Sequence, residues 1–158
     1  MLHRFAPLLL ALLPGLAACT EETTVYVVPP PNPVPVEVEI EVYDPVTNGV
    51  WENVGVRVVS AWNEWSDCEC ASPTVQYLLT DSFGLVYFSP YYLAAAEVGF
   101  TEDVNGRAVL GPDPAVDEAV VRLEVYADGF TPVIVDVPLS WEEPYGFASV
   151  PFEAPPGL

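Results

Sequence analysis

The sequence contains no lysine and a single histidine, His3, near its start. Four arginines stand against 23 aspartates and glutamates, and the formal net charge is -19 at pH 7. Proteins bind nucleic acids largely through basic side chains that neutralise phosphates. A chain this acidic therefore excludes nucleic acid as a partner, and we expect its charge to form a solvated surface.

The first 18 residues have the three parts of a secretory signal peptide. A short basic start at His3 and Arg4 precedes an apolar run, and Pro14 and Gly15 lead into small residues. The run is shorter than the ~20 residues that a membrane-spanning helix needs. Removal of this segment leaves no imidazole, which excludes Ser-His-Asp and Cys-His catalysis and His-ligated zinc or copper.

Cysteine is scarce, and the first of the three, Cys19, directly follows this leader. The stretch Leu16-Ala17-Ala18-Cys19 resembles the lipobox of bacterial lipoproteins. The resemblance implies cleavage before Cys19 and lipidation of its sulfur, and two or more acyl chains hold a protein stably on a membrane. Thr20 follows in place of the aspartate that often signals retention at the inner membrane, so we expect an envelope protein anchored at the outer membrane rather than the inner one. The alternative is an ordinary signal peptide followed by a coincidental cysteine.

The remaining cysteines, Cys68 and Cys70, are separated by one residue. An oxidising compartment favours their pairing, so we expect a disulfide that fixes the surrounding loop. A thiol-redox role is the alternative, although the acidic neighbours Asp67 and Glu69 disfavour a reactive thiolate. Two thiolates are too few for a metal site.

Proline is abundant between Cys19 and the first regular strand. Residues 19–36 are expected to be the lipidated cysteine and a stiff, polyproline-II-like tether, which extends ~3.1 Å per residue. We expect residues 37–154 to form one folded domain and residues 155–158 to form a C-terminal tail.

Alternation of apolar and polar residues begins at Glu37, as in a strand with one buried face. Runs of this kind recur through the chain and predict an all-β sandwich of about seven strands. The two runs on either side of Asp81 are spaced for a hairpin. Ser89 as cap, Pro90 in the first turn and Gly99 as terminator predict one short helix near residues 90–98.

Three segments of these strands resemble the carboxypeptidase regulatory-like (transthyretin-like) domains. They are residues 53–58 (NVGVRV), 79–88 (LTDSFGLVYF) and 125–130 (VYADGF). The resemblance implies an Ig-like, transthyretin-like sandwich of Greek-key type. The family brings no catalytic residues, and its members are structural, folding-assist or adhesive modules. A long loop at residues 62–73 departs from the pattern, and residues 101–108 repeat the turn motif, which indicates an inserted strand.

Trp62 and Trp65 lie in that long loop, close to both cysteines. Trp62 continues the apolar face of the preceding strand and is a candidate core residue. Together the two rings are a candidate ligand platform of the kind found on sugar-binding surfaces. Burial of both rings at the end of the sandwich is the favoured interpretation, since aromatic rings mostly supply buried apolar area.

Two acidic loops, at residues 103–106 and 113–118, are candidate calcium sites. Asp103 and Asn105 are too few alternating oxygen ligands for a calcium loop, so we expect a turn there. We predict no metal and no cofactor.

These features predict a non-enzymatic envelope lipoprotein. Its sandwich would be a structural or binding module for a protein or glycan partner, at the cell surface or the periplasmic face. One alternative is a carbohydrate-binding or adhesive domain that uses Trp62 and Trp65. The other is a carboxylate-pair hydrolase, which needs two carboxyl groups facing each other at ~5–9.5 Å.

Overall fold

Two sheets packed face to face enclose a core made largely of valines. A computed structural model describes residues 32–63, 68–73, 76–111 and 118–154. The long strands alternate buried valines or leucines with polar residues, so one face of each sheet points inward. The elements in chain order are β1 (Val34–Pro35), β2 (Glu37–Tyr43), β3 (Gly55–Asn63), β4 (Cys68–Ala71), β5 (Leu78–Leu79), β6 (Leu85–Phe88), α1 (Pro90–Ala95), β7 (Thr101–Glu102), β8 (Ala108–Leu110), β9 (Glu118–Tyr126), β10 (Val133–Ser140) and β11 (Tyr145–Pro151).

The larger sheet has five strands and is antiparallel throughout. Its order is β10–β9–β3–β4, and the short β5 pairs with the opposite end of β3. Val121, Leu123 and Val125 of β9 are fully buried, so the central strand faces the core along its whole length.

The smaller sheet has the order β11–β2–β6 and joins distant parts of the chain. β2 is antiparallel to β6 but parallel to β11. Its inward residues Val38, Ile40 and Val42 are fully buried against the larger sheet. β10 and β11, the edge strands of the two sheets, contact each other and close one side of the sandwich.

A third, small sheet holds the start of the domain. β1 pairs with β8, and β8 pairs with β7, which gives the inserted strand that the repeated turn motif indicated. Val34 lies opposite Leu110, and Val36 is fully buried. Residues 34–36, which the sequence assigned to the tether, are therefore part of the fold.

The predicted all-β sandwich with one short helix is confirmed. Among the described residues, seven strands have four or more residues, and four have only two or three. The seven longer strands agree with the number predicted. The two-residue strand β1 escaped prediction because it is too short to display alternation, and β4 lies in the predicted long loop at residues 62–73.

The predicted hairpin at Asp81 is a tight turn between different sheets. Asp81 Oδ1 accepts hydrogen bonds from the backbone nitrogens of Phe83 and Leu85 at 2.8 and 3.0 Å, and Gly84 has a φ of 73°. However, β5 pairs with β3 while β6 pairs with β2. The hairpin prediction is wrong because the turn motif specifies the reversal of the chain but not the strands that each arm joins.

Helix α1 begins where the sequence placed it and ends earlier. Ser89 accepts a hydrogen bond from the backbone nitrogen of Tyr92 at 3.2 Å, and Pro90 is the first helical residue. The helix ends at Ala95, and Glu97, with a φ of 54°, takes the left-handed conformation expected of a C-terminal cap. Within the described residues, no helix has both the length and the hydropathy needed to cross a membrane.

Candidate functional site

A β-bulge in β3 decides which way Trp62 faces. Val58 pairs with Leu123, but the next pair joins Ser60 to Arg122, so the bulge adds one residue to β3. The added residue shifts the alternation by one position, and Ala61 rather than Trp62 is fully buried. Trp62 is half-buried on the outer face of the larger sheet. The prediction that Trp62 continues the buried face is wrong because the bulge reverses the alternation.

Trp62 lines a shallow concavity of about 250 Å³ on this outer face. In the register of the sheet, Trp62 lies between Glu69 of β4 and Val120 of β9. An indole ring, a small apolar side chain and charged groups are thus brought together by three adjacent strands. The residues that line this site, which we call the Trp62 concavity, are Ser60, Trp62, Glu69, Val120, Arg122 and Asp136.

Arg122 links the two carboxylates of the Trp62 concavity. Its Nε and Nη2 donate to the two carboxylate oxygens of Asp136 at 2.8 and 2.9 Å, and its Nη1 donates to Glu69 Oε1 at 2.6 Å. Asp136 lies directly opposite Arg122 in the β9–β10 register, which makes the bidentate pair possible. The hydrogen bond from Arg122 lowers the pKa of Asp136. Asp136 is therefore an ionised acceptor at neutral pH.

A second ion pair lies further along the same face. Arg57 Nε donates to Glu124 Oε2 at 2.5 Å, and the Tyr77 hydroxyl donates to the same oxygen at 2.9 Å. Burial acts to raise the pKa of Glu124, but the hydrogen bonds from Arg57 and Tyr77 outweigh it, and the pKa is lowered. The Arg57 guanidinium also lies 5.4 Å from the centre of the Tyr77 ring, within the range of a cation–π contact.

Asp103 uses its carboxylate to build the β7–β8 turn. Its Oδ1 accepts from the backbone nitrogens of Asn105 and Arg107 at 2.8 and 3.0 Å, and its Oδ2 accepts from the Arg107 side chain. These contacts, led by the Arg107 hydrogen bond, lower the pKa of Asp103 to about 2. The described part of the chain contains no cluster of three or more potential metal ligands.

Each arginine in the described ranges forms an ion pair. Arg57 binds Glu124, Arg107 binds Asp103, and Arg122 binds Asp136 and Glu69. Since the chain has no lysine, this described surface offers no unpaired cation to an anionic ligand. The charged groups that this described surface offers a ligand are therefore ion pairs and free carboxylates.

Several predicted site residues lie outside the described part of the structure. Cys19 and Trp65 are among them, as is the side chain of Cys68. The sulfur of Cys70 takes part in a disulfide. Its pairing with Cys68 stays a prediction, and so does the joint ligand platform of Trp62 and Trp65.

The charged residues beside Trp62 were missed at the sequence level. Arg122 and Asp136 each occupy a polar position in an alternating strand, so both were recognisable as outward-facing. Their meeting depends on the β9–β10 register, and the approach of Trp62 depends on the bulge in β3. Neither feature has a signature in a single sequence.

No family model, curated protein or solved structure matches this chain. The resemblance to carboxypeptidase regulatory-like domains therefore stays a prediction, and function is inferred from the geometry of the chain itself.

Proposed function

We propose that this chain is a non-enzymatic lipoprotein of the bacterial cell envelope whose sandwich binds a glycan at the Trp62 concavity. One observation carries the proposal: a partly exposed indole ring lies beside two carboxylates that are hydrogen-bonded to Arg122. Ligand sites typically combine an apolar surface with a few convergent polar groups, and this site has both.

The groups around Trp62 suit a hydroxyl-bearing ring. The face of an indole packs well against the C–H face of a sugar, while carboxylate oxygens accept hydrogen bonds from hydroxyls. The ion pairs to Arg122 offset the charge of Glu69 and Asp136, so a neutral ligand meets preorganised acceptors. A volume of about 250 Å³ is small for a ligand pocket and favours one ring of a longer glycan.

The same ion pairs argue against a carboxylate-pair hydrolase. Such an enzyme needs one carboxyl group with a raised pKa to protonate the leaving group. Arg122 instead lowers the pKa of Asp136, which keeps that group ionised. The geometry therefore favours binding over bond cleavage at this site.

The glycan proposal is tested by titration after a glycan-array screen of the full chain in detergent. We expect Trp62→Ala to weaken binding about tenfold or more, the usual cost of losing a central aromatic contact. Tyr91→Ala is the matched control, because it removes an exposed ring from α1 on another part of the surface. The proposal fails if no glycan binds, or if both variants bind as the unchanged chain does.

The anchor is a separate part of the proposal, supported by the lipobox-like stretch that ends at Cys19. In a bacterial host, we expect labelled palmitate to be incorporated into the chain and lost in Cys19→Ser, with Thr20→Ser as the control. The unchanged chain should need detergent for extraction, since two or more acyl chains anchor stably. Labelling that survives Cys19→Ser contradicts the assignment of the anchor.

A further inference from the structure

The outer face of the β11–β2–β6 sheet is a second surface with a distinct composition. β2 contributes three glutamates at alternate positions, while their buried neighbours Val38 and Ile40 face the core. β6 and β11 contribute aromatic rings on both sides of this row. The residues of this surface, which we call the Glu–aromatic face, are Glu37, Glu39, Glu41, Tyr87, Tyr145, Phe147 and Ser149.

The glutamates of the Glu–aromatic face have hydroxyl partners but no cationic ones among the described ion pairs. The Tyr145 hydroxyl donates to Glu39 Oε2, and Ser149 Oγ donates to Glu41 Oε2 at 2.7 Å. The hydrogen bond to Glu39 is the main cause that raises the pKa of Tyr145 to about 12, so the phenol remains a donor. These bonds orient the carboxylates and leave their charge uncompensated.

Three aromatic rings on this face are half-exposed. Tyr87 is 46%, Tyr145 47% and Phe147 52% exposed. In the register of the sheet, Phe147 and Tyr87 lie on either side of Glu39. A carboxylate between two rings suits a cationic side chain, which can form an ion pair and lie against an aromatic face at once.

The spacing of the glutamates matches an extended chain. Residues at alternate positions of a strand are ~6.8 Å apart and point the same way. An extended peptide with lysine or arginine at alternate positions has the same repeat, so successive cations can align with Glu37, Glu39 and Glu41. A helical or compact basic segment does not share this period.

We propose that the Glu–aromatic face docks an extended basic segment of another protein, with lysine or arginine at alternate positions. Charge complementarity identifies the partner: the face carries three uncompensated carboxylates on a chain of net charge -19. A second copy does not fit, because the chain has no lysine and each described arginine is already ion-paired. This inference does not depend on glycan binding, since the two faces lie on opposite sheets.

The test uses two labelled peptides of equal composition and charge, one with lysines alternating with threonines and one with the lysines contiguous. Binding to the full chain in detergent is measured by fluorescence anisotropy at about 0.15 M salt, where the Debye length is ~8 Å. We expect the alternating peptide to bind at least about threefold more tightly, because its cations match the carboxylate repeat.

Single substitutions on the Glu–aromatic face show whether this face binds the peptide. Glu39→Gln should weaken the alternating peptide about threefold to tenfold, and Phe147→Ala should weaken it by a similar factor. Glu142→Gln, an exposed glutamate in the β10–β11 connection, is the matched control and should leave binding unchanged. Circular dichroism of each variant checks that the fold is retained.

Three results would overturn this proposal. Equal affinity for the two peptides would show that attraction is a property of net charge alone. Equal weakening of peptide binding by Glu142→Gln and Glu39→Gln would show that the Glu–aromatic face is not the binding site. Displacement of the peptide by millimolar calcium, beyond that caused by sodium chloride of the same ionic strength, would show that the glutamates bind a divalent cation instead.

Discussion

At the scale of single residues, Gly146 in β11 allows the two sheets to approach closely at one edge. A methyl group at this position would lie 2.5 Å from Val137 Cγ1 and 2.8 Å from Leu139 Cδ2. Both neighbours are buried, so neither has free space to move into. We predict that Gly146→Ala lowers the free energy of unfolding by about 1–3 kcal/mol, as overpacking does elsewhere. Urea denaturation followed by circular dichroism measures it.

A second substitution separates this clash from a general loss of stability. Val137→Ala removes the atom closest to the new methyl group, at its own cost in buried area. If the clash is the cause, the double variant should be less destabilised than the sum of the single variants, because residues in contact are not additive. Strict additivity would point to another origin, such as a change in the unfolded chain.

Thr80 is the first residue of the turn motif that resembles one in the transthyretin-like family, and its hydrogen bonds give it a structural role. Its buried hydroxyl accepts from the backbone nitrogen of Val54 at 3.0 Å and donates to the carbonyl of Trp51 at 2.6 Å. Thr80→Val keeps the shape but leaves both backbone groups without this partner. We predict a loss of about 1–3 kcal/mol in the free energy of unfolding.

Thr101→Val provides the control for Thr80 in the same urea assay. Thr101 opens the repeated motif but is exposed at the edge of the small sheet. Its substitution should change stability by less than about 0.5 kcal/mol, as surface changes usually do. Equal losses in the two variants would mean that the buried hydroxyl has no special role.

At the scale of elements, the alternation of apolar and polar residues predicted where the long strands lie. It did not predict which side of each strand faces inward along its whole length. In β9 every second residue is buried from Ala119 to Val125, and these inward-facing residues were readable from the sequence. In β3 the alternation of inward and outward residues shifts by one position at the bulge, which turns Trp62 outward and Ala61 inward. Either alternation is compatible with the local sequence of β3, so the pairing with β9 determines which residues face the core.

The two proposed binding surfaces were predictable to different degrees. The row of glutamates in β2 is visible as alternation, and its outward direction follows from the buried Val38 and Ile40 between them. The rings beside the row arrive from β6 and β11, which are distant in sequence, and one of these pairings is parallel. Contacts of that kind depend on topology, which a single sequence leaves open.

The β7–β8 hairpin should be sensitive to acid through Asp103. Its folded pKa of about 2 lies below the ordinary value of 3.8, so the folded state binds this proton less readily than the unfolded chain. The stabilising contribution is therefore fully present above about pH 4 and is lost as the pH falls through about 2. We predict that the stability difference between the unchanged chain and Asp103→Asn shrinks over this window.

Comparing the two chains at each pH cancels the titration of the other carboxylates. Chemical denaturation at several values between pH 6 and pH 2 gives the difference directly. A difference that stays constant down to about pH 2 would contradict the ion pair with Arg107 as its source.

At the scale of the whole molecule, we expect repulsion between carboxylates to outweigh the few ion pairs. The net charge is -19, and three described arginines are each bound to acidic partners. Salt screens both effects, but the excess of like charges is the larger. We predict that raising sodium chloride from about 0.01 to 0.3 M increases the thermal midpoint by about 4 °C, the shift that ~1 kcal/mol gives in a domain of this size.

Differential scanning calorimetry of the full chain measures this shift. Potassium chloride at equal ionic strength should give the same result, because screening does not depend on the identity of the monovalent ion. A midpoint that falls with added salt would mean that the ion pairs, and not the repulsion, dominate the electrostatic free energy.

The parallel pairing of β2 with β11 has a mechanical consequence. The chain enters β2 at Glu37 and leaves β11 at Pro151, at opposite ends of one ladder. With the proposed lipid at Cys19 as the fixed point, a pull on the C-terminal end loads this ladder lengthwise, in shear. Its hydrogen bonds then share the force together instead of opening one after another. If the proposed lipid anchor and a bound partner pull on opposite ends of the domain, this geometry favours a folded state that resists the force.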